Sequence, residues 1–122
     1  MSGAALEASI IPEDPEDLKL ITLARAALAR SGAHQGACVR DTDGRAYAAA
    51  SVHLEHLRLS AIAVAVAMAV SSGATRVEGA ALVGEDEPSA ADLEILRDLS
   101  ADGLTVWRAD GRGTVQSMIE LK

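Results

Sequence analysis

Apolar positions recur along this chain with two periods, one typical of helices and one typical of strands. The first helical stretch opens at Asp14-Pro15-Glu16-Asp17, where Asp14 can cap the helix and Pro15 fits its first turn. Ser31-Gly32 ends this helix, because glycine readily takes the left-handed conformation of a helix end. The inward face is predicted to carry Leu18, Ile21, Ala24 (or Arg25) and Leu28.

Short apolar runs between turn signals predict five strands. Residues 41–44 (Asp-Thr-Asp-Gly) predict a hairpin turn, and residues 109–112 (Ala-Asp-Gly-Arg) predict a second turn between strands. The strands are predicted at 36–40, 45–51, 77–83, 104–108 and 114–119.

Ser60 to Val70 is small and apolar throughout, with no charged or amide side chain after Ser60. A helix of this composition has no polar face, so we expect it to be covered on most sides, at the centre of the fold. It stops at Ser71-Ser72-Gly73, and a polar linker or helix entry, 53–58, precedes it. A later helix, 89–99, is predicted to turn Leu93, Leu96 and Leu99 inward.

The order of these elements is helix, strand, strand, helix, strand, helix, strand, strand. A helix between two strands implies a crossover and at least one parallel pair, so the sequence predicts a mixed sheet with helices on both faces. We expect residues 1–11 to be a loose tail and residues 12–122 to be a single domain, which fits the length of 122 residues.

Composition narrows the class of protein. The chain is 49% apolar but only 2% aromatic, so its core must be built from Ala, Val, Leu and Ile. Its net charge of −7 argues against nucleic acid or an anionic membrane surface as a partner. One cysteine, Cys38, permits no internal disulfide and, with no signal peptide in view, predicts a cytoplasmic protein.

The sequence resembles the short, homotetrameric type of cytidine deaminase. The resemblance rests on Gly36-Ala37-Cys38-Val39, on Asp43-Gly44-Arg45, on the apolar core helix and on Pro88 at the start of the next helix, and it covers residues 18–119. It implies a three-layer α/β/α fold with a five-stranded mixed sheet. It also implies a hydrolytic deamination in which a zinc-bound hydroxide attacks the pyrimidine and a glutamate moves the protons.

The family's catalytic motifs are not preserved here. Its zinc is held by the cysteine of Cys-Ala-Glu, which aligns with Leu59-Ser60-Ala61, and by the two of Pro-Cys-x-x-Cys, which align with residues 88–92. Neither segment has a thiol, and Ala61 cannot transfer a proton. The ribose-binding Asn-x-Glu aligns with Ser51-Val52-His53, and Ala33-His34-Gln35 lacks the family's aromatic residue and proline. The degenerate pocket positions are therefore Ser51, His53, Leu59, Ser60, Ala61, Pro88, Ser89 and Asp92.

These departures predict a non-catalytic relative of cytidine deaminase that has lost its zinc and acts as a binding or regulatory module. The resemblance also implies a homo-oligomer, a dimer or tetramer, with the core helix near its centre. A nucleoside or a protein partner is possible as ligand. Two alternatives remain open: an active hydrolase with a different site, and a purely structural domain without a pocket.

Several single residues have two readings. His53 and His56, with Glu55 between them and His34 elsewhere, are either metal ligands on a shared helix face or a solvated entry to the helix. His53 alone is a candidate for binding a sugar hydroxyl. Ser60 is a nucleophile or a helix cap, while Ser89 and Asp92 form a capping-box pattern.

Two more residues concern the core. Cys38, between Ala37 and Val39 on a strand, is a reactive thiol or a buried small apolar residue. Trp107 is an interface anchor or a cover for the core.

Overall fold

The structure, a computed structural model, describes residues 11–122 and contains three helices and seven strands in that range. The predicted tail lies outside the described residues except for Ile11, so the domain boundary stays a prediction. The helices are α1 (Pro15–Ser31), α2 (Ala61–Ser71) and α3 (Ala90–Leu99). The strands are β1 (Gly36–Asp41), β2 (Ala46–Ala50), β3 (Val52–His53), β4 (Arg58–Leu59), β5 (Val77–Val83), β6 (Ser100–Ala109) and β7 (Val115–Leu121).

Five strands form one mixed sheet in the order β2-β1-β5-β6-β7. The β5–β6 pair is parallel and is connected through α3, while the other neighbours are antiparallel. One face of the sheet packs against α1 and the other against α2 and α3, which gives the predicted three-layer α/β/α fold. β6 begins four residues earlier than predicted, and its first residue, Ser100, pairs with Val77. The sequence did not predict this extension because residues 100–103 carry no apolar pattern.

Helix α1 ends where its capping residues predict, but its buried face is rotated. The Asp14 carboxylate accepts a hydrogen bond from the Glu16 amide at 2.9 Å, and Gly32 takes the left-handed conformation at the other end. Leu20 is buried and Leu18 is exposed, so the prediction of Leu18 as an inward residue is wrong. Both leucines are apolar, and the period alone does not decide which of them meets the sheet.

The segment before α2 is a small β-hairpin. Val52 pairs with Leu59 and His53 pairs with Arg58, and the Leu54 amide donates to the Leu57 carbonyl at 2.8 Å. Of the two alternatives predicted for 53–58, a polar linker and a helix entry, the helix entry is therefore wrong. Backbone pairing across this short turn satisfies groups that a helix would otherwise have to satisfy.

The described part of the chain covers helix α2 on one side only, against the prediction that the helix would be covered on most sides. Ala61, Ile62, Ala65, Val66 and Ala69 face the sheet, while Met68 and Val70 are 41% and 48% exposed. α2 belongs to an outer layer of the sandwich, and its far side has no neighbour among residues 11–122. Within residues 11–122, no helix has both the length and the apolar character needed to cross a membrane.

The two open questions about the core are answered by burial. Trp107 lies on β6, inside the sheet, and is packed under α1 with Leu20 and Ile21, as a cover for the core would be. Its indole nitrogen is the one buried side-chain nitrogen or oxygen without a hydrogen-bond partner among the described residues. Cys38 is fully buried in the same layer.

Burial raises the pKa of the Cys38 thiol to about 11, because an apolar environment disfavours the thiolate. We therefore expect the native protein to react with Ellman's reagent only as fast as the fold opens, and the unfolded protein to release one equivalent at once. Fast stoichiometric reaction of the native protein would contradict this placement.

Candidate functional site

A pocket of about 390 Å³ lies at the N-terminus of α2, between the β3–β4 hairpin and the loop that follows β5. Four of the degenerate pocket positions predicted from the sequence line it: Ser51, His53, Leu59 and Ser60. The other four do not line the pocket. Ala61 is buried at the start of α2, and Pro88, Ser89 and Asp92 lie at the start of α3.

Ser60 joins the two helix starts. It is the N-cap of α2, where its Oγ accepts a hydrogen bond from the Ala63 amide at 3.1 Å. The same hydroxyl donates to Oδ1 of Asp92, across the gap to α3, at 2.6 Å. This geometry supports the reading of Ser60 as a cap, because its oxygen already serves the helix and its proton is held by a carboxylate.

Ser89 and Asp92 form the capping box that their spacing predicts. The Asp92 amide donates to the Ser89 hydroxyl at 3.0 Å, and the Ser89 amide donates to Oδ2 of Asp92 at 3.3 Å. Asp92 is only 3% exposed, yet its carboxylate lies at the starts of two helices, where the helix dipoles favour a negative charge. We call these three residues the Ser60–Asp92–Ser89 cluster.

The Ser60–Asp92–Ser89 cluster does not fit a zinc ion. Zinc sites in proteins use thiolates, imidazoles and carboxylates, and this cluster offers one carboxylate and two neutral hydroxyls. All three side chains are already engaged in hydrogen bonds: one joins α2 to α3, and two form the capping box of α3. The donor set, rather than any missing ion, makes the cluster a poor metal site.

The histidines do not assemble a substitute site. Because 53–58 is a hairpin, His53 and His56 do not share the helix face on which the metal hypothesis depended. The His56 imidazole lies 3.6 Å from the Glu55 carboxylate, and both side chains are almost fully exposed. Among residues 11–122, no three side chains of His, Cys, Asp or Glu lie close enough together to bind a metal.

Gln35 connects three elements beneath the pocket and was not predicted as a site residue. Its side-chain Oε1 accepts a hydrogen bond from the Ala61 amide, at the start of α2, at 3.3 Å. Its backbone amide donates to Oγ of Ser51 at 3.2 Å, and its carbonyl accepts from the Ser51 amide at 3.0 Å. Nothing local in the sequence marks this role, since both partner residues are distant along the chain.

Arg108 fixes the loop that forms the opposite wall. From β6, its guanidinium donates to the carbonyls of Gly84 and Asp86, at 3.0 and 3.3 Å, and also to the Glu85 carbonyl. It pairs with the Glu87 carboxylate at 3.5 Å. The loop brings Asp86 into the lining of the pocket, so one basic residue holds a wall that contains three consecutive acidic residues.

A family model described as "Cytidine deaminase-like" matches residues 13–113 of this chain. This chain belongs to the cytidine deaminase-like family. The resemblance inferred from the residue pattern is thereby confirmed, although membership alone does not fix activity. No curated protein matches the sequence.

Solved structures confirm the fold of this cytidine deaminase-like protein. A cytidine deaminase from Burkholderia pseudomallei has a TM-score of 0.72 and 23% identity, and the match covers 83% of this chain and 89% of that one. A cytidine deaminase from Mycobacterium tuberculosis has a TM-score of 0.64 and 24% identity, over 72% of this chain and 80% of that one. A cytidine deaminase from Mycobacterium leprae has a TM-score of 0.64 and 18% identity, and the match covers 74% of this chain and 85% of that one.

The cluster makes a testable contribution to stability. Asp92→Ala is expected to lower the free energy of unfolding by about 2 kcal/mol, because it leaves the Ser60 hydroxyl and the Ser89 amide without their partner. Asp98→Ala, on an exposed position of the same helix, is the matched control and should change it by less than about 0.5 kcal/mol. If urea melts gave the two variants equal losses of unfolding free energy, the role assigned to Asp92 would be contradicted.

Proposed function

We propose that this protein is a non-catalytic member of the cytidine deaminase-like family that binds a ligand in the α2 pocket as a regulatory or sensing module. The observation that carries the proposal is the Ser60–Asp92–Ser89 cluster. Hydroxyls and a carboxylate that bind one another lie at the starts of α2 and α3, the two helix starts to which the resemblance assigns the family's zinc-binding thiolates. Such a cluster stabilises the scaffold but activates no water.

The geometry favours a small change in the alignment with the family motif. Ser60, and not Leu59, meets Asp92, so we align Ser60-Ala61-Ile62 with Cys-Ala-Glu. The glutamate that would move protons is then replaced by Ile62, which is fully buried in the core. In either alignment the chain has no acid or base at that position.

A pyrimidine nucleoside is the ligand class that we propose. The pocket volume of about 390 Å³ lies within the ordinary range for small-molecule sites. Its lining combines hydrogen-bonding groups from Gln35, Ser51, His53 and Asp86 with apolar surface from Val52 and Leu59. These groups suit the hydroxyls and carbonyls of an uncharged nucleoside.

A nucleoside panel tests the proposal directly. Purified protein is incubated with cytidine, deoxycytidine, adenosine and guanosine, and ammonia release is measured alongside binding by calorimetry. We expect binding of a pyrimidine nucleoside without turnover. Turnover of any member would instead support an active hydrolase, and a complete lack of binding would favour a structural domain.

Restoring thiolates tests both the loss of zinc and the alignment. The triple variant Ser60→Cys, Ser89→Cys, Asp92→Cys is expected to take up about one zinc per chain and to gain thermal stability when zinc is added. The matched control carries Leu59→Cys in place of Ser60→Cys and should bind zinc more weakly. The reverse order of affinities would restore the alignment on Leu59.

We further propose that the protein is a cytoplasmic homo-oligomer, a dimer or tetramer, associated through the far side of α2. From Leu59 to Thr75 the chain has no charged residue, although the whole chain carries −7. An uncharged face lets two copies meet without the repulsion that their acidic surfaces would otherwise cause. Val70→Glu should produce monomers in sedimentation experiments, whereas the exposed α1 change Thr22→Glu should not; a native monomer at micromolar concentration would refute this.

A further inference from the structure

Gln35 has two ends with different environments. A backbone N–H can be met only by an acceptor, so the hydrogen bond from the Ala61 amide fixes the carboxamide with Oε1 toward α2. The Nε2 amino group is then the other end of the same planar unit. It donates no hydrogen bond within the part of the chain that the structure describes, and Gln35 lines the pocket.

The backbone of Gln35 is held as firmly as its side chain. It exchanges two hydrogen bonds with Ser51, one through the Ser51 hydroxyl and one through the Ser51 amide. Gly36, the next residue, is packed directly against α1. The backbone of Gln35 and the oxygen of its carboxamide are therefore both held in place before a ligand binds. This preorganisation lowers the conformational entropy lost on binding.

We propose that Gln35 is a specificity-determining residue of this pocket, and that its Nε2 amino group donates a hydrogen bond to an acceptor oxygen of the bound nucleoside. This inference rests on the proposed function, because it names the group that reads the ligand. The carbonyl oxygen of a pyrimidine base is an acceptor to which a carboxamide N–H can donate. Oε1 of Gln35 thus accepts a hydrogen bond from α2, and its Nε2 donates one to the ligand.

The variant Gln35→Glu separates these two roles. A glutamate keeps an oxygen for the Ala61 amide and adds a negative charge at the start of α2, where the helix dipole favours it. It removes both Nε2 donors and presents an acceptor to the acceptor of the ligand. We expect its melting temperature to equal or exceed that of the native protein, while its dissociation constant for uridine or cytidine rises roughly tenfold or more.

Calorimetric titration of native protein, Gln35→Glu and Gln35→Ala with uridine and cytidine gives distinguishable outcomes. Gln35→Ala should lose both stability and affinity. If native protein binds and Gln35→Glu binds equally well, the assignment of Gln35 is overturned while the proposed function stands. If native protein binds neither nucleoside, the proposed function fails, and the assignment fails with it.

Discussion

Gly36→Ala is expected to destabilise the protein more than any other conservative change. A Cβ at position 36 would lie 2.1 Å from the carbonyl oxygen of Ala24 and 3.0 Å from Cβ of Leu28, both on α1. Neither a backbone oxygen nor a helix-bound Cβ can move aside alone, so all of α1 would have to shift from the sheet. We expect the free energy of unfolding to fall by about 3 kcal/mol or more.

Gly111→Ala is the matched control for this substitution. Position 111 lies in the turn between β6 and β7, a Cβ there meets nothing within 4 Å, and its φ is not in the left-handed region. Gly111→Ala should leave the free energy of unfolding unchanged or raise it slightly, because alanine restricts the conformations of the unfolded chain. Equal losses of stability for the two variants in urea melts would contradict the close packing of α1 on β1.

Asp41→Ala is expected to have the second largest effect. The Asp41 carboxylate is 2% exposed and ends β1. Its Oδ1 accepts from the amides of Asp43 and Arg45, each at 2.9 Å, and its Oδ2 accepts from the Tyr47 hydroxyl at 3.0 Å. Alanine would leave three donors without their partner at a partly buried site, which should cost about 3 kcal/mol.

The same carboxylate makes stability depend on pH. Burial by itself would raise the pKa of Asp41, but the hydrogen bonds from the Arg45 amide, the Tyr47 hydroxyl and the Asp43 amide outweigh it, so the pKa is lowered. A carboxyl whose pKa is lower in the folded state stabilises the fold above its unfolded pKa, near 3.9. This stabilisation is lost as the pH falls through the folded-state pKa.

Asp41→Asn should therefore flatten the dependence of unfolding free energy on pH below about pH 4. Asn keeps an acceptor for the two amides, so its cost at neutral pH should be smaller than that of alanine. Some acid sensitivity should remain, because the backbone hydrogen bond from the Thr114 amide also lowers the pKa of Asp110. An unchanged pH profile would mean that Asp41 does not carry the acid response.

Local signals in the sequence predicted much of the fold. Asp14, Ser60 and Ser89 each cap a helix within a residue of the predicted start, because capping depends on neighbours one to three residues away. The turn at 41–44 also forms as its residues predict. The choice between Leu18 and Leu20 failed, since it depends on how α1 rotates against a sheet made of distant segments.

The site was predicted less completely for the same reason. Of the eight positions that the motif alignment assigned to the site, four line one pocket of the structure and four do not. It did not identify Gln35, whose partners Ser51 and Ala61 lie 16 and 26 residues away. The hydrogen bond between Ser60 and Asp92 spans 32 residues, and it could be read only from the packing of two helix starts.

We propose that a hydrogen-bonded junction between α2 and α3 has replaced the metal site of the family in this protein. The measurement that tests it most directly is the zinc content of untagged native protein by elemental mass spectrometry, made alongside the triple-cysteine variant. We expect zinc far below one equivalent in the native protein and about one equivalent in the variant. Stoichiometric zinc in the native protein, removed by a chelator together with cytidine deaminase activity, would contradict it.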